Sequence, residues 1–168
     1  MTTSPQRTSM PGKRPRAAIA AVAWAAGLAV VMAVSTPAGA QTFKVLHTFT
    51  GRPDGASPYA GLIRDPAGNL YGTTVGGGTG TACDSGCGTV YEVAAIGKET
   101  VLYSFTGQPD GAYPYAALVR DPAGNLYGTT GYGGSGACKD GFGNLGCGTV
   151  FKVDAAGKET VLYSFTAG

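Results

Sequence analysis

The fold is decided by a stretch that occurs twice, as VLHTFTGRPDGASPYAGLIRDPAGNLYGTT at residues 45–74 and as VLYSFTGQPDGAYPYAALVRDPAGNLYGTT at residues 101–130. The copies align without a gap, with 24 of 30 positions identical. After a loop of variable length, GTVYEVAAIGKET at residues 88–100 aligns with GTVFKVDAAGKET at residues 148–160, with 9 of 13 positions identical. VLYSFT then recurs at residues 161–166. Such self-similarity is typical of repeat proteins, in which each unit buries its apolar face against the next.

Each unit is predicted to contain four short strands, because β-branched and aromatic residues alternate at period two between runs of Gly, Pro and Asn. The DPAGN segment at residues 65–69 combines residues that each favour a tight turn, and it predicts a hairpin between the first two strands. In the fourth strand, alternation places Val101, Tyr103 and Phe105 on one face. The predicted strands are residues 59–64, 70–74, 89–93 and 101–106, repeated at 115–120, 126–130, 149–153 and 161–166.

This pattern predicts an all-β chain of antiparallel four-stranded repeats, which form two β-propeller-like blades. Residues 41–100 hold the first blade and residues 101–168 the second, with the start of a third repeat. Residues 43–50 resemble the fourth strand and are predicted to form an extra N-terminal strand. Two blades cannot close a ring. The chain is therefore expected to be a piece of a longer array, or else to assemble from several copies through its blade faces.

The first forty residues predict export. Residues 1–16 carry four basic residues and no acidic one, and an uncharged apolar stretch follows at residues 17–34. Ala38-Gly39-Ala40 then matches the small-residue pattern at which signal peptidase cleaves. We expect cleavage before Gln41, with no stable membrane span afterwards. An uncleaved anchor is the alternative, since eighteen apolar residues approach the length that spans a bilayer. The expected location is periplasmic, extracellular or at the cell surface.

Charge excludes one class of partner. The leader holds four of the 12 Lys and Arg residues, so the exported chain keeps eight basic against ten acidic residues. A weakly acidic domain without a basic stripe is not expected to bind nucleic acid, whose affinity depends on phosphate neutralisation.

The four cysteines predict two disulfides. Cys83 and Cys87 lie in the loop between the second and third strands of the first unit, and Cys138 and Cys147 lie in the equivalent loop of the second. An exported chain with an even cysteine count favours disulfides, one in each loop, over metal binding. The spacings match no zinc motif, and the chain has a single histidine. We predict no metal and no cofactor.

The longer loops gather on one side of the sheets, because strand direction alternates. That side carries the candidate ligand contacts, since binding residues in repeat scaffolds usually lie on such loops. Asp54 and Asp110 occupy the same P-D-G position in both units, where the competing interpretation is turn chemistry. Tyr113 and Tyr132 have no aromatic counterpart in the first unit and are candidates for exposed contact.

No catalytic residue is predicted. His47 is replaced by Tyr103 and Tyr163 in the other copies, so a Ser–His–Asp site cannot be built elsewhere in the chain. Carboxylate pairs remain formally possible, but Asp65 belongs to a DPAGN turn on the side opposite to Asp54.

The motifs D-P-A-G-N-L-Y-G-T-T, G-T-V-[YF]-[EK]-V and V-L-Y-S-F-T-G together carry a resemblance. From residue 43 onward the chain resembles the choice-of-anchor tandem repeat GloVer family of secreted bacterial proteins. The resemblance implies a surface or extracellular repeat protein of undefined activity, usually with more repeats and a separate anchoring element.

Three classes of function follow. The leading expectation is a non-enzymatic scaffold or binding protein that offers a propeller face to a protein or a glycan. A carbohydrate-binding lectin assembled from several chains is the second. The third is a periplasmic propeller enzyme acting on sugars or lactones.

Overall fold

The computed structural model describes residues 41–138 and 146–167, so the predicted signal peptide at residues 1–40 lies outside it. The described residues contain strands and no helix. They form two four-stranded antiparallel sheets, with strand orders β1-β2-β3-β4 and β5-β6-β7-β8. The all-β prediction, with four antiparallel strands in each unit, is confirmed. The strands are β1 (Ile63–Arg64), β2 (Leu70–Thr74), β3 (Thr89–Val93), β4 (Glu99–Ser104), β5 (Val119–Arg120), β6 (Leu126–Thr129), β7 (Thr149–Val153) and β8 (Glu159–Ser164).

The predicted DPAGN turns form, and their aspartates hold them together. The Asp65 carboxylate accepts hydrogen bonds from the Asn69 backbone N–H at 2.9 Å, from Asn69 Nδ2 at 3.1 Å and from the Tyr71 hydroxyl at 3.1 Å. The Asp121 carboxylate accepts the same three bonds in the second unit. The hydrogen bond from the Asn125 side chain is the main cause that lowers the pKa of Asp121. These repeated tyrosines therefore close the turn as well as pack beside it.

A β-bulge interrupts the fourth strand of each sheet. Val101 pairs with Tyr91, but Tyr103 pairs with Val90. Directly opposite residues share a face, so Val101 and Tyr103 lie on opposite faces of the sheet. The prediction that Val101, Tyr103 and Phe105 share one face is wrong, because a bulge inserts one residue and breaks the period of two.

The two sheets pack on each other through an aromatic contact. The rings of Phe105, which follows β4, and Phe151 in β7 lie 5.0 Å apart in an edge-to-face arrangement, and both are fully buried. The Thr73 hydroxyl of the first sheet donates to the Pro114 carbonyl in the loop before β5 at 3.1 Å. The buried core is thus shared between the units: Tyr71, Cys83, Cys87, Val90, Phe105, Ala112, Leu118, Leu126, Phe151 and Val153.

The predicted extra N-terminal strand is not formed, since residues 41–50 contain no strand. In each sheet the fourth strand pairs with the third strand, β3 or β7. In the described chain both β3 and β7 are already paired on both edges. The segment nevertheless packs its side chains as β4 does. Phe49 lies 4.8 Å from Tyr91, as Phe105 lies 5.0 Å from Phe151. Residues 43–50 therefore pack through their side chains alone, because neither β3 nor β7 has a free edge with which they could pair.

Candidate functional site

The loops after β2 and β4 meet in one layer, as the strand directions predict. Ala56 and Gly76 exchange two backbone hydrogen bonds, of 2.9 and 3.0 Å, and thereby join the P-D-G loop to the cysteine loop of the first unit. Ala112 and Tyr132 make the equivalent pair in the second unit. The Tyr113 backbone N–H donates to the Cys87 carbonyl at 2.9 Å and links the two units. We call this layer the loop side.

Both cysteine pairs are disulfides, which confirms the prediction of one bridge in each loop. The Cα atoms are 5.2 Å apart for Cys83 and Cys87, and 5.0 Å apart for Cys138 and Cys147. Residues 139–145 of the second loop lie outside the described chain. Disulfides persist in oxidising compartments, so the two bridges fit a periplasmic or extracellular location.

Asp110 holds its own loop in place. Its carboxylate is buried and accepts hydrogen bonds from the Tyr103 hydroxyl at 2.6 Å, from the Thr106 backbone N–H at 2.9 Å and from the Thr106 hydroxyl at 2.7 Å. Burial raises the pKa of Tyr103, and the hydrogen bond to Asp110 raises it further. With three donors engaged, the carboxylate acts as a structural acceptor in this arrangement, and its contact with a ligand stays a prediction.

Asp54 repeats this arrangement with a histidine in place of the tyrosine. It accepts from the Thr50 backbone N–H at 3.1 Å and from the Thr50 hydroxyl at 3.2 Å, and it lies 3.2 Å from His47 Nε2. Burial acts to raise the pKa of Asp54, but the hydrogen bonds from Thr50 and His47 outweigh it and lower the pKa. His47 thus contacts the P-D-G loop of the first unit, as Tyr103 at the equivalent position contacts that of the second. A ligand role for Asp54 also stays a prediction.

Two glutamates, Glu99 and Glu159, are influenced by the charges of these aspartates and are not singled out by the sequence motifs. Burial raises the pKa of Glu159 to about 7, and the negative charge of Asp110 contributes. Burial also raises the pKa of Glu99, near His47 and Asp54. One buried oxygen of each glutamate, Oε1, has no hydrogen-bond partner. Strand register could have found them, because each pairs with a buried valine at the end of the preceding strand.

The tyrosine pair is the feature of the loop side that does not repeat. The rings of Tyr113 and Tyr132 lie 5.7 Å apart at 86°, and both side chains are half-buried. Tyr113 has a φ of 56°, and Ser57 at the equivalent position has a φ of 58°. The loop conformation is therefore common to both units, and only the second unit places aromatic rings on it. The exposed Tyr115 side chain lies close by, beside Gly131.

Within the described ranges, no three His, Cys, Asp or Glu side chains lie close enough together to hold a metal ion. No helix among these residues is long and apolar enough to cross a membrane.

Residues 24–168 match the model of the Gloeobacter/Verrucomicrobia repeat family. The chain belongs to this family. The match confirms the resemblance that the repeated motifs carry, and it concerns the repeat rather than any anchoring element. No curated protein matches the chain. Membership in the Gloeobacter/Verrucomicrobia repeat family establishes a repeat protein and assigns it no activity.

Proposed function

We propose that this chain is an exported, non-enzymatic repeat protein that binds a partner through its loop side, on sheets stacked as in a β-propeller. The Tyr113–Tyr132 pair carries the proposal, because it is the aromatic surface on which the two units differ. The loop-side carboxylates support binding over catalysis, since Asp54 and Asp110 accept structural hydrogen bonds at equivalent positions. Catalytic carboxylates normally keep an oxygen available for the substrate, whereas these accept hydrogen bonds from their own loops.

Export is supported by two independent features. The basic segment, apolar stretch and Ala38-Gly39-Ala40 site have the order of a signal peptide. The two disulfides fit the oxidising conditions that exported proteins meet.

A glycan is the ligand class that the tyrosine pair favours. Tyrosine rings offer a flat apolar surface with a polar hydroxyl at one end, and sugars present apolar C–H faces rimmed by hydroxyl groups. A bulky residue in the left-handed region is uncommon, whereas serine is accommodated there in the first unit. Tyr113 therefore occupies a demanding backbone position, which points to a use for its ring.

The test replaces Tyr113 and Tyr132 of the second unit by the residues at the equivalent positions of the first. Purified protein is applied to a glycan array, and the best ligand is titrated against the Tyr113→Ser/Tyr132→Gly double variant. Ser57 and Gly76 occupy these positions in the first unit, so the variant keeps a compatible backbone. We expect at least about a tenfold loss of affinity, as for the loss of an aromatic hot spot.

Tyr59→Ser is the matched control, because Tyr59 is an exposed tyrosine of the first unit that belongs neither to the loop-side pair nor to the repeat motif residues that hold the loops together. An equal loss in this control, or an array without any bound glycan, contradicts the glycan assignment. Turnover of a sugar or lactone by the purified protein contradicts the non-enzymatic assignment.

A further inference from the structure

The contact between the two sheets joins two different surfaces: one on the first sheet, which carries Phe105, and one on the second sheet, which carries Phe151. Because the units are repeats, the second sheet has a counterpart of the Phe105 surface and the first sheet has a counterpart of the Phe151 surface. Phe105 after β4 is fully buried against the second sheet, whereas its repeat counterpart Phe165 after β8 is 41% exposed. Leu162 and Tyr163 are exposed with it. These three residues form what we call the donor face of the second sheet.

The receiving face lies on the first sheet. Leu118, Leu126, Phe151 and Val153 of the second sheet are buried beneath the first. Their counterparts in the first sheet are Leu62, Leu70, Tyr91 and Val93, which we call the receiving face. Leu62 is 51% exposed where Leu118 is 3% exposed. Tyr91 and Val93 are buried, so the receiving face is left uncovered at Leu62.

Residues 43–50 cover the receiving face only in part. The Phe49 ring contacts Tyr91, but Phe43, Val45 and Leu46 of the same segment are exposed. Between the segment and the sheet lies a cavity of about 390 Å³, lined by residues that include Phe43, Leu46, Phe49, Leu62, Tyr91 and Val93. A segment without strand pairing over a cavity is a poor substitute for a paired strand, because it leaves apolar surface in water.

We propose that copies of this chain associate head to tail, the donor face of one copy docking on the receiving face of the next and taking the place of residues 43–50. The interface continues the joint that already exists between the two sheets. In it, Phe165 meets Tyr91 of the neighbouring copy as Phe105 meets Phe151. Tyr163 occupies the position of Tyr103, whose hydroxyl donates to Asp110.

A second copy fits because both halves of the contact belong to the same chain. The donor and receiving faces differ, so the contact is heterologous and leaves one face of each kind free in a dimer. The inference rests on the stacking part of the proposed function, and it is independent of what the loop side binds.

The experiment uses the full-length chain, secreted by its host and purified, and follows association by sedimentation equilibrium over a range of concentrations. Phe165→Glu introduces a charge on the donor face and Leu62→Glu introduces one on the receiving face. Each variant alone should associate at least about tenfold more weakly than the unchanged chain. An equimolar mixture should form a heterodimer, since each variant keeps the face that the other has lost.

Ile96→Glu is the matched control. Ile96 is strongly exposed but lies in the turn between β3 and β4, outside both faces, so this variant should associate like the unchanged chain. Circular dichroism checks that each variant is folded. Where a glutamate variant is unfolded, Phe165→Ser or Leu62→Ser takes its place.

The proposal is overturned if the unchanged chain stays monomeric at high concentration, if Ile96→Glu also blocks association, or if the mixed variants form no heterodimer. A monomer that still binds a glycan through Tyr113 and Tyr132 rejects this interface and leaves the loop-side function standing.

Discussion

At the scale of single residues, repeated positions perform repeated structural tasks. Gly72 and Gly128 illustrate this, because the ring of the facing aromatic residue occupies the space above each glycine. A Cβ atom on Gly72 would lie 2.6 Å from the Tyr91 hydroxyl, and one on Gly128 would lie 2.6 Å from Phe151 Cζ. Glycine inside a strand often marks a place where a neighbouring group approaches closely, and the register of β2 and β3 places Tyr91 opposite Gly72.

Gly128→Ala should destabilise the protein by about 1–3 kcal/mol, as expected for overpacking. Phe151 is fully buried and cannot move aside, and Leu118 lies 2.9 Å from the new Cβ position. Gly72→Ala is the matched control and should cost less, because Leu62, one of the two side chains next to its Cβ position, is exposed and can shift. Urea unfolding of both variants measures the difference, and equal losses contradict the explanation.

Glu159→Gln should stabilise the protein at pH 8 and have little effect at pH 4. The folded pKa of about 7 lies above the unfolded value of about 4.3. Between these values the folded form binds more protons than the unfolded form, so the contribution of Glu159 to stability falls as pH rises. Allowing for solvent screening, the gain at pH 8 should be about 1 kcal/mol.

Chemical denaturation of the variant and the unchanged protein at both pH values measures this gain. Asp84→Asn removes an exposed carboxylate from the cysteine loop and serves as the control, because a surface substitution of this kind should change stability little. A gain of the same size at pH 4 would show that burial of the carboxylate charge is not its cause.

At the scale of strands and turns, the sequence predicts features that depend on neighbouring residues, but it does not predict features that depend on how strands pair. The DPAGN turn is predictable because Asp65 bonds to residues only four and six positions later. The bulge beside Leu102 is not, because it depends on how β4 aligns with β3. Residues 43–50 have the composition of a strand but form none, because a strand also needs a free neighbouring strand to pair with.

The same limit applies to the candidate site. The Cys83–Cys87 and Cys138–Cys147 bridges follow from sequence because each pair lies within one loop. The influence of the Asp110 charge on Glu159 does not, because the two residues are far apart in the sequence and interact only in the folded chain.

Phe105→Ala and Phe165→Ala should separate the buried joint from the exposed donor face. Loss of a fully buried phenylalanine usually costs about 3–5 kcal/mol, and Phe105 is fully buried between the sheets. Phe165→Ala removes the same side chain at an exposed counterpart position and should cost much less in dilute monomer. Thermal unfolding at low protein concentration compares them. Similar costs would mean that the two sheets do not depend on this contact.

At the scale of the whole molecule, the predicted leader and the two sheets are separate parts of the chain. Both sheets belong to one compact unit that begins at Thr42. The predicted cleavage before Gln41 therefore lies next to the boundary of this unit, and neither sheet includes any of residues 1–40.

The exported protein should begin at Gln41, because Ala38-Gly39-Ala40 provides the small side chains that signal peptidase requires. Intact-mass analysis of secreted protein should show a chain of residues 41–168 with two disulfides. Ala40→Pro, which places a poor residue at the cleavage site, should retain the leader. Recovery of the unchanged protein with residues 1–40 still attached would instead make it membrane-anchored.

The edge-to-face contact that Phe49 makes with Tyr91, and Phe105 with Phe151, has a consequence for the gene. Because one kind of contact joins each sheet to the segment before it, duplication of a whole repeat leaves every joint chemically unchanged. Insertions and deletions of one repeat are therefore mild mutations, whereas a shift by part of a repeat separates the donor from the receiving residues. Recombination between the near-identical stretches can change the length of such a protein in a single event.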